Sequence, residues 1–131
     1  MKRTNALLVA CLALLIFVTV VTWVARHRAS WRANEKFAED LLASARSDTP
    51  LHREVLPLEE RTALAERRHL LGVKARRVFV DETWGGMEFG YCFSNGAYAY
   101  ITFLTAGEPP KPASLAVYEP RTTYAEQCGS P

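Results

Sequence analysis

The chain is short of the residues that usually do chemistry. Its 131 residues hold three cysteines and three histidines. His27, His52 and His69 form no H-E-x-x-H pattern, and none stands at zinc spacing from a cysteine, so no metal is expected. There is no C-x-x-C, which removes the dithiol redox motif. The seven glycines make neither a G-x-G-x-x-G turn nor a phosphate-binding loop. No catalytic residue and no cofactor is predicted. Internal repeats are missing too, while the aromatic second half speaks against wholesale disorder.

The most informative absence is of charge. Ala6 to Ala25 runs for 20 residues without a charged side chain. As a helix it would measure about 30 Å, the thickness of a bilayer's hydrocarbon core, and it would satisfy its own backbone polar groups there. A cleaved signal has a shorter apolar region and small residues before the cut. Here bulky Trp23 stands near the end of the run, before Val24, Ala25 and Arg26. Leu8-Val9-Ala10-Cys11 resembles a bacterial lipobox over four residues, but the apolar stretch continues long past Cys11. The expectation is a retained signal anchor over 6–25 after a short basic N-terminus (1–5), with the lipid bilayer as its partner. Trp23, Arg26 and Arg28 are the expected membrane-interface residues.

Orientation draws on two opposing signals. Lys2 and Arg3 precede the run and Arg26, Arg28 and Arg32 come after it, so the basic-residue count leans slightly towards a C-terminal side in the cytoplasm. Cys92 and Cys128 lie in the C-terminal half, where a single disulfide would need an oxidising compartment. The expectation adopted is a single-pass protein of the bacterial inner membrane with its C-terminal domain outside the cytoplasm. Ala-, Arg- and Glu-rich usage suggests a bacterial chain.

The residues after the anchor suit one small domain. Arg26 to Arg77 carries twelve Lys and Arg against eight Asp and Glu, net +4, and Val78 to Pro131 carries two against six, net −4. A basic half would be drawn to anionic headgroups, but a solvated helix surface with Arg chosen for helix propensity is the simpler explanation. A juxtamembrane helix is expected over 26–50, with Trp31, Ala38, Leu41, Leu42 and Ala45 at helical spacing and Phe37 beside them. Neither Pro nor Gly separates it from the anchor, so the two can run on as one rod, and Ser47-Asp48-Thr49-Pro50 ends it. A second helix is expected from Pro57 to Leu71, closed by Gly72.

The period then changes to two. Arg76 to Trp84 alternates, Gly85-Gly86 offers a hairpin turn, and Met87, Phe89, Tyr91 and Phe93 alternate with smaller or polar residues. Asn95-Gly96 reads as a type I′ turn, which would set Phe93 opposite Tyr98 and Tyr91 opposite Tyr100 and Val80. The predicted class is α+β: an N-terminal transmembrane helix, a second helix, and a three- to four-stranded antiparallel meander within 51–131. A Pro-rich loop is expected over 107–112, a short fourth strand over Ser114–Tyr118, and a tail tied down by Cys128.

Few residues suggest a site. Cys92 is the best candidate nucleophile, but a mid-strand position among aromatics does not lower a thiol's pKa; a disulfide with Cys128 explains it better. Asp81, Glu82 and Glu88 cluster at an exposed hairpin end, where solvent keeps them ionised. Lys74, Arg76 and Arg77 with Arg67-Arg68 make a basic patch, yet the acidic distal half argues against nucleic acid as a partner. Trp84 at the hairpin tip, with Met87, is the candidate interaction surface, core closure being the competing role for Trp84. The function expected is a non-enzymatic envelope accessory or binding module that contacts another envelope protein. The rivals are a small anchored thiol-dependent enzyme using Cys92, and a cytoplasm-facing domain that binds lipid headgroups or nucleic acid.

Overall fold

A computed structural model describes residues 2–83, 86–105 and 111–129. The chain is α+β. Its elements are α1 (Lys2–Ser47), α2 (Pro50–Val55), α3 (Leu58–Arg67), a 3₁₀ turn (Arg68–Leu70), β1 (Ala75–Thr83), β2 (Gly86–Phe93), β3 (Tyr98–Thr105), β4 (Lys111–Tyr118) and a second 3₁₀ segment (Thr123–Cys128). The chain divides into two compact units, Met1–Arg32 and Ala33–Pro131. The division falls inside α1 and inside the stretch 26–50 that the sequence set apart.

In the first unit the apolar side chains are left in the open. Leu8 is 67% exposed, Phe17 65% and Trp23 65%. Among the described residues α1 is the one helix long and apolar enough to cross a membrane. Thr19 and Thr22 do not interrupt it, because their hydroxyls donate back to the carbonyls of Leu15 and Val18.

The second unit is built on a four-stranded antiparallel sheet in the order β1-β2-β3-β4. The anticipated meander is present, but its central register differs by one residue. Cys92 pairs with Tyr98, Tyr91 with Ala99, Phe89 with Ile101 and Met87 with Phe103. The cause is the turn. Gly96 N–H donates to Phe93 O and Phe93 N–H to Ala97 O, and of the two turn residues only Gly96 has positive φ. A type I′ turn needs both positive; this is a three-residue loop with a single left-handed glycine. One residue of slip moves every side chain of β3 to the other face. Asn95 belongs to the loop for its own reasons: its Oδ1 accepts from Ala97 N–H and its Nδ2 donates to Leu70 O.

On β1, Arg77 faces Tyr91 and Phe79 faces Gly90, so a bulge at Val78 interrupts the ladder. Val80 therefore lies opposite Phe89, not Tyr91. Thr83 pairs with Gly86, which makes Gly86 a ladder residue rather than a turn residue. A Cβ there would collide with the Phe103 carbonyl oxygen. Lys111 and Pro112 lie in β4, not in a loop, with Pro112 opposite Phe103 where the register shifts. A strand tolerates proline at such an irregularity because no regular ladder bond is lost. The rest of the expected loop, 107–110, lies outside the described residues.

One face of the sheet, here the inner face, carries Met87, Phe89, Tyr91 and Phe93 with Ala99, Ile101, Phe103, Leu115 and Val117, all buried. Asn34, Ala38, Leu41, Leu42 and Ala45 form the buried stripe of α1, at spacings of three and four that keep them on one side. Phe37 meets Phe103 edge to face at 6.2 Å, and Arg77 pairs with Glu35. Each large side chain buried here contributes about 1.5–3 kcal/mol. The expected second helix is two helices and a 3₁₀ turn, with Pro50 in the first turn of α2 and Pro57 capping α3.

Candidate functional site

The other, outer face is the one that the shifted register conceals from a reading of the sequence. It carries Phe79 and Asp81 of β1, Glu88, Gly90 and Cys92 of β2, Tyr98, Tyr100 and Thr102 of β3, and Tyr118 of β4. Their rings form a chain across the sheet. Centroids are 6.3 Å apart for Phe79–Tyr100, 6.3 Å for Tyr100–Tyr98, 6.1 Å for Tyr98–Tyr118 and 4.3 Å for Tyr118–Tyr124. Gly90 makes this possible: a methyl group there would sit 2.9 Å from Phe79 Cβ and 2.9 Å from Tyr98 Cε2. Small residues on β2 let the rings of β3 lie down on the sheet.

One end of this face is closed by the second 3₁₀ segment. Cys92 and Cys128 are disulfide-bonded, with Cα atoms 5.3 Å apart. Tyr98 and Ala125 are buried beside them, and Val78, Tyr100 and Tyr118 pack on the same cluster. The segment Tyr124–Cys128 is thus an ordered piece of the domain rather than a loose tail. With its sulfur bonded, Cys92 offers no thiolate, and a disulfide does not act as a nucleophile.

The other end is acidic, with Glu88 half-buried and Asp81 exposed. Asp81 faces Glu88 directly across the β1–β2 ladder, and Glu88 faces Thr102. Burial raises the pKa of the Tyr100 hydroxyl, and the Glu88 carboxylate that hydrogen-bonds it raises it further, as does the charge of Asp81. Burial likewise raises Tyr98, against the opposing hydrogen bond from Gln127. Tyr98 and Tyr100 therefore stay neutral, and the charge at this end of the face comes from Asp81 and Glu88. Neutral rings beside carboxylates favour a cationic or aromatic contact.

The remaining predicted residues are more scattered. Trp23 is exposed and stacks on His27 at 5.2 Å, and Arg26 and Arg28 are exposed. Trp84 lies outside the described residues. Met87 is fully buried, with its Sδ 3.2 Å from Asn34 Nδ2. It is a core residue and not part of an interaction surface, because the register turns it inwards. Asn34 is the polar member of the α1 stripe that spacing alone would have shown, two turns and one residue before Leu42.

A Ser–His–Asp constellation also appears. Ser44 Oγ is 3.1 Å from His52 Nδ1, and Asp48 Oδ1 is 3.6 Å from Nε2. Its bonding is structural. Ser44 Oγ also accepts from His52 N–H and donates to Thr49 O, while Ser44 and His52 are 4% and 2% exposed. A substrate has no approach. Burial lowers the pKa of His52, with Arg68 and Arg53 acting in the same direction and Asp48 partly opposing. No group of metal-ligating side chains occurs among the described residues.

A cleft of about 380 Å³ lies between α1 and Gly72–Ala75, lined in part by Glu39, Arg46, Lys74 and Phe93. Arg46 is committed to the carbonyls of Gly72 and Val73, so its guanidinium braces the walls. Comparison with family models, with curated proteins and with solved structures finds no match.

Proposed function

We propose that the chain is a single-pass protein of the bacterial inner membrane whose α+β domain lies outside the cytoplasm and serves, without catalysis, as an envelope accessory or binding module. One observation carries this reading: an exposed apolar helix long enough to cross a bilayer precedes a domain closed by a disulfide. Water penalises that much bare apolar surface, and a bilayer removes the penalty. Cytosolic thiol pools keep such cysteine pairs reduced, whereas the extracytoplasmic space of bacteria does not. Trp23 and the arginines after it suit the interfacial zone.

The binding surface in this reading is the acidic, aromatic end of the outer face: Phe79, Tyr100, Asp81 and Glu88. Half-buried rings beside carboxylates match a basic segment of another envelope protein. The test is a pair of C-terminal fusions, one to a reporter that needs oxidation and one that works only in the cytoplasm. Activity of the first alone supports the proposal. Activity of the second alone overturns it in favour of a cytoplasm-facing domain that binds lipid headgroups or nucleic acid. Recovery of the protein without detergent, in the soluble fraction, overturns the anchor itself.

A further inference from the structure

The two edges of the sheet are finished differently. At β4 the outward backbone groups are capped by α3: Leu115 N–H donates to Glu60 Oε2 at 2.9 Å, and Arg67 Nη1 donates to Val117 O at 2.6 Å. At β1, the opposite edge, α1 contributes a side-chain pair, Glu35 with Arg77, in place of a helix whose side chains bond the strand's backbone. An open edge invites strand pairing, and proteins guard it with charges and bulges. Strand β1 has both. Its charges are ordered: Arg76 and Arg77 precede the bulge at Val78, and Asp81 and Glu82 come after it.

We infer that β1 pairs, antiparallel and about a two-fold axis through the Val78–Phe79 bulge, with β1 of a second copy of this chain. The bulge decides the match. It lets Val78 and Phe79 share the outer face opposite Gly90. Arg76 is then two residues to one side and Asp81 two residues to the other, both on the outer face. A two-fold axis at the bulge sets Arg76 of each copy opposite Asp81 of the other. Without the bulge, five residues of separation would leave the two on opposite faces. Isologous pairing of this kind needs only one self-complementary patch.

A second observation points to a cation at the same place. Asp81 stands opposite Glu88 within the chain, and like charges facing each other across strands are unfavourable. Arg76 of the second copy, set opposite Asp81, relieves that repulsion. Arg76 and Asp81 are both exposed and, among the described residues, join no ion pair within the chain. Arg77 is held by Glu35, which leaves Arg76 as the arginine for the interface. The charge order also rejects other strands: a neighbour lacking the reversed order meets like charges. Phe79 of both copies meets at the axis, so the two chains of rings become continuous.

The inference does not depend on the compartment in which the domain resides. It is tested on the full chain in detergent, by sedimentation across a concentration series. Wild type is expected to form a reversible dimer. Arg76→Asp and Asp81→Arg are each expected to raise the dissociation constant by roughly tenfold or more, because two symmetry-related pairs turn repulsive. Mixed in equal amounts, the two variants are expected to pair with each other. Positions 76 and 81 are then both acidic in one variant and both basic in the other, so every cross-strand pair is of opposite sign. Unchanged thermal midpoints would show that both variants fold. A wild type that stays monomeric throughout overturns the inference. So does a dimer indifferent to both substitutions, which would assign association to the apolar helix, and so does failure of the mixture to recover.

Discussion

The two faces of the sheet are closed by different means. The inner face buries large side chains from three strands under residues 33–47 of α1 and needs no covalent help. The outer face has a glycine and a cysteine on β2 where the inner face has Phe89, Tyr91 and Phe93. Tyrosines from β3 and β4 lie over these small residues, and a disulfide holds the 3₁₀ segment against them. A helix can cover one face of a small sheet. Among the described residues no second helix covers the other, and flat rings and one covalent bond take that role. The difference teaches that the inner face is held by helix packing, while the outer face is held by stacked rings and one covalent bond.

The comparison breaks most sharply at Phe89. It is fully buried and meets Phe103 edge to face at 5.7 Å. Phe89→Ala is expected to cost about 3–5 kcal/mol, and the half-buried Phe79→Ala on the outer face roughly 1–2 kcal/mol. Thermal unfolding of the two variants measures the contrast directly; equal losses would mean that both faces carry the core.

Next in size is the disulfide. Its closed loop spans 36 residues of sequence separation. Cys128→Ser is expected to remove about 2–4 kcal/mol and to expose Tyr98 while the inner face persists. Hydrogen exchange should rise in Thr123–Cys128 and stay slow in β2. Reduction of the wild-type protein should do the same.

A smaller effect is expected from Gly90→Ala. The added methyl displaces Phe79 and Tyr98 from their bed, a form of overpacking that costs about 1–3 kcal/mol. The tyrosine bands in near-ultraviolet circular dichroism should weaken although the disulfide still forms. Retention of wild-type bands would show that the rings do not need the glycine.

The gentlest test acts on the helical layer alone. Burial keeps His52 neutral, so its folded pKa lies below the ordinary 6.5. The unfolded chain then binds the proton first as pH falls. Stability is fully present above pH 6.5 and declines as pH drops from there towards the folded value. His52→Asn should flatten that slope. A slope unchanged by the substitution would place the pH sensitivity elsewhere.

Much of the fold was legible. The change from a helical period to a period of two after Gly72 marks the boundary between layers, and four strands come after it. The disulfide was legible only as a candidate, since two cysteines in one small domain allow a bond without requiring it, and the structure brings Cys92 and Cys128 together. What misled was Asn95-Gly96. The dipeptide is compatible with a two-residue or a three-residue loop, and the choice inverts β3. One clue in the sequence favoured the second: with Tyr98 and Tyr100 set against Cys92 and Gly90, large residues meet small ones. Met87 went the same way, because a side chain near a hairpin end reads as surface until the register turns it inwards. His52 gave no signal at all. Its burial comes from a corner between two helices, made by Asp48 in a left-handed conformation.

By itself, the sequence determined the apolar helix and the succession of a helical part and an antiparallel meander, and it offered Cys92 and Cys128 as a candidate pair, because each depends on local composition or on a count. Tertiary structure alone decided the strand register, and with it which rings and carboxylates share a face and which edge of the sheet α3 caps. Those depend on how side chains far apart in the chain fill one another's space, and a single bulge or one-residue slip reverses them without changing any local preference.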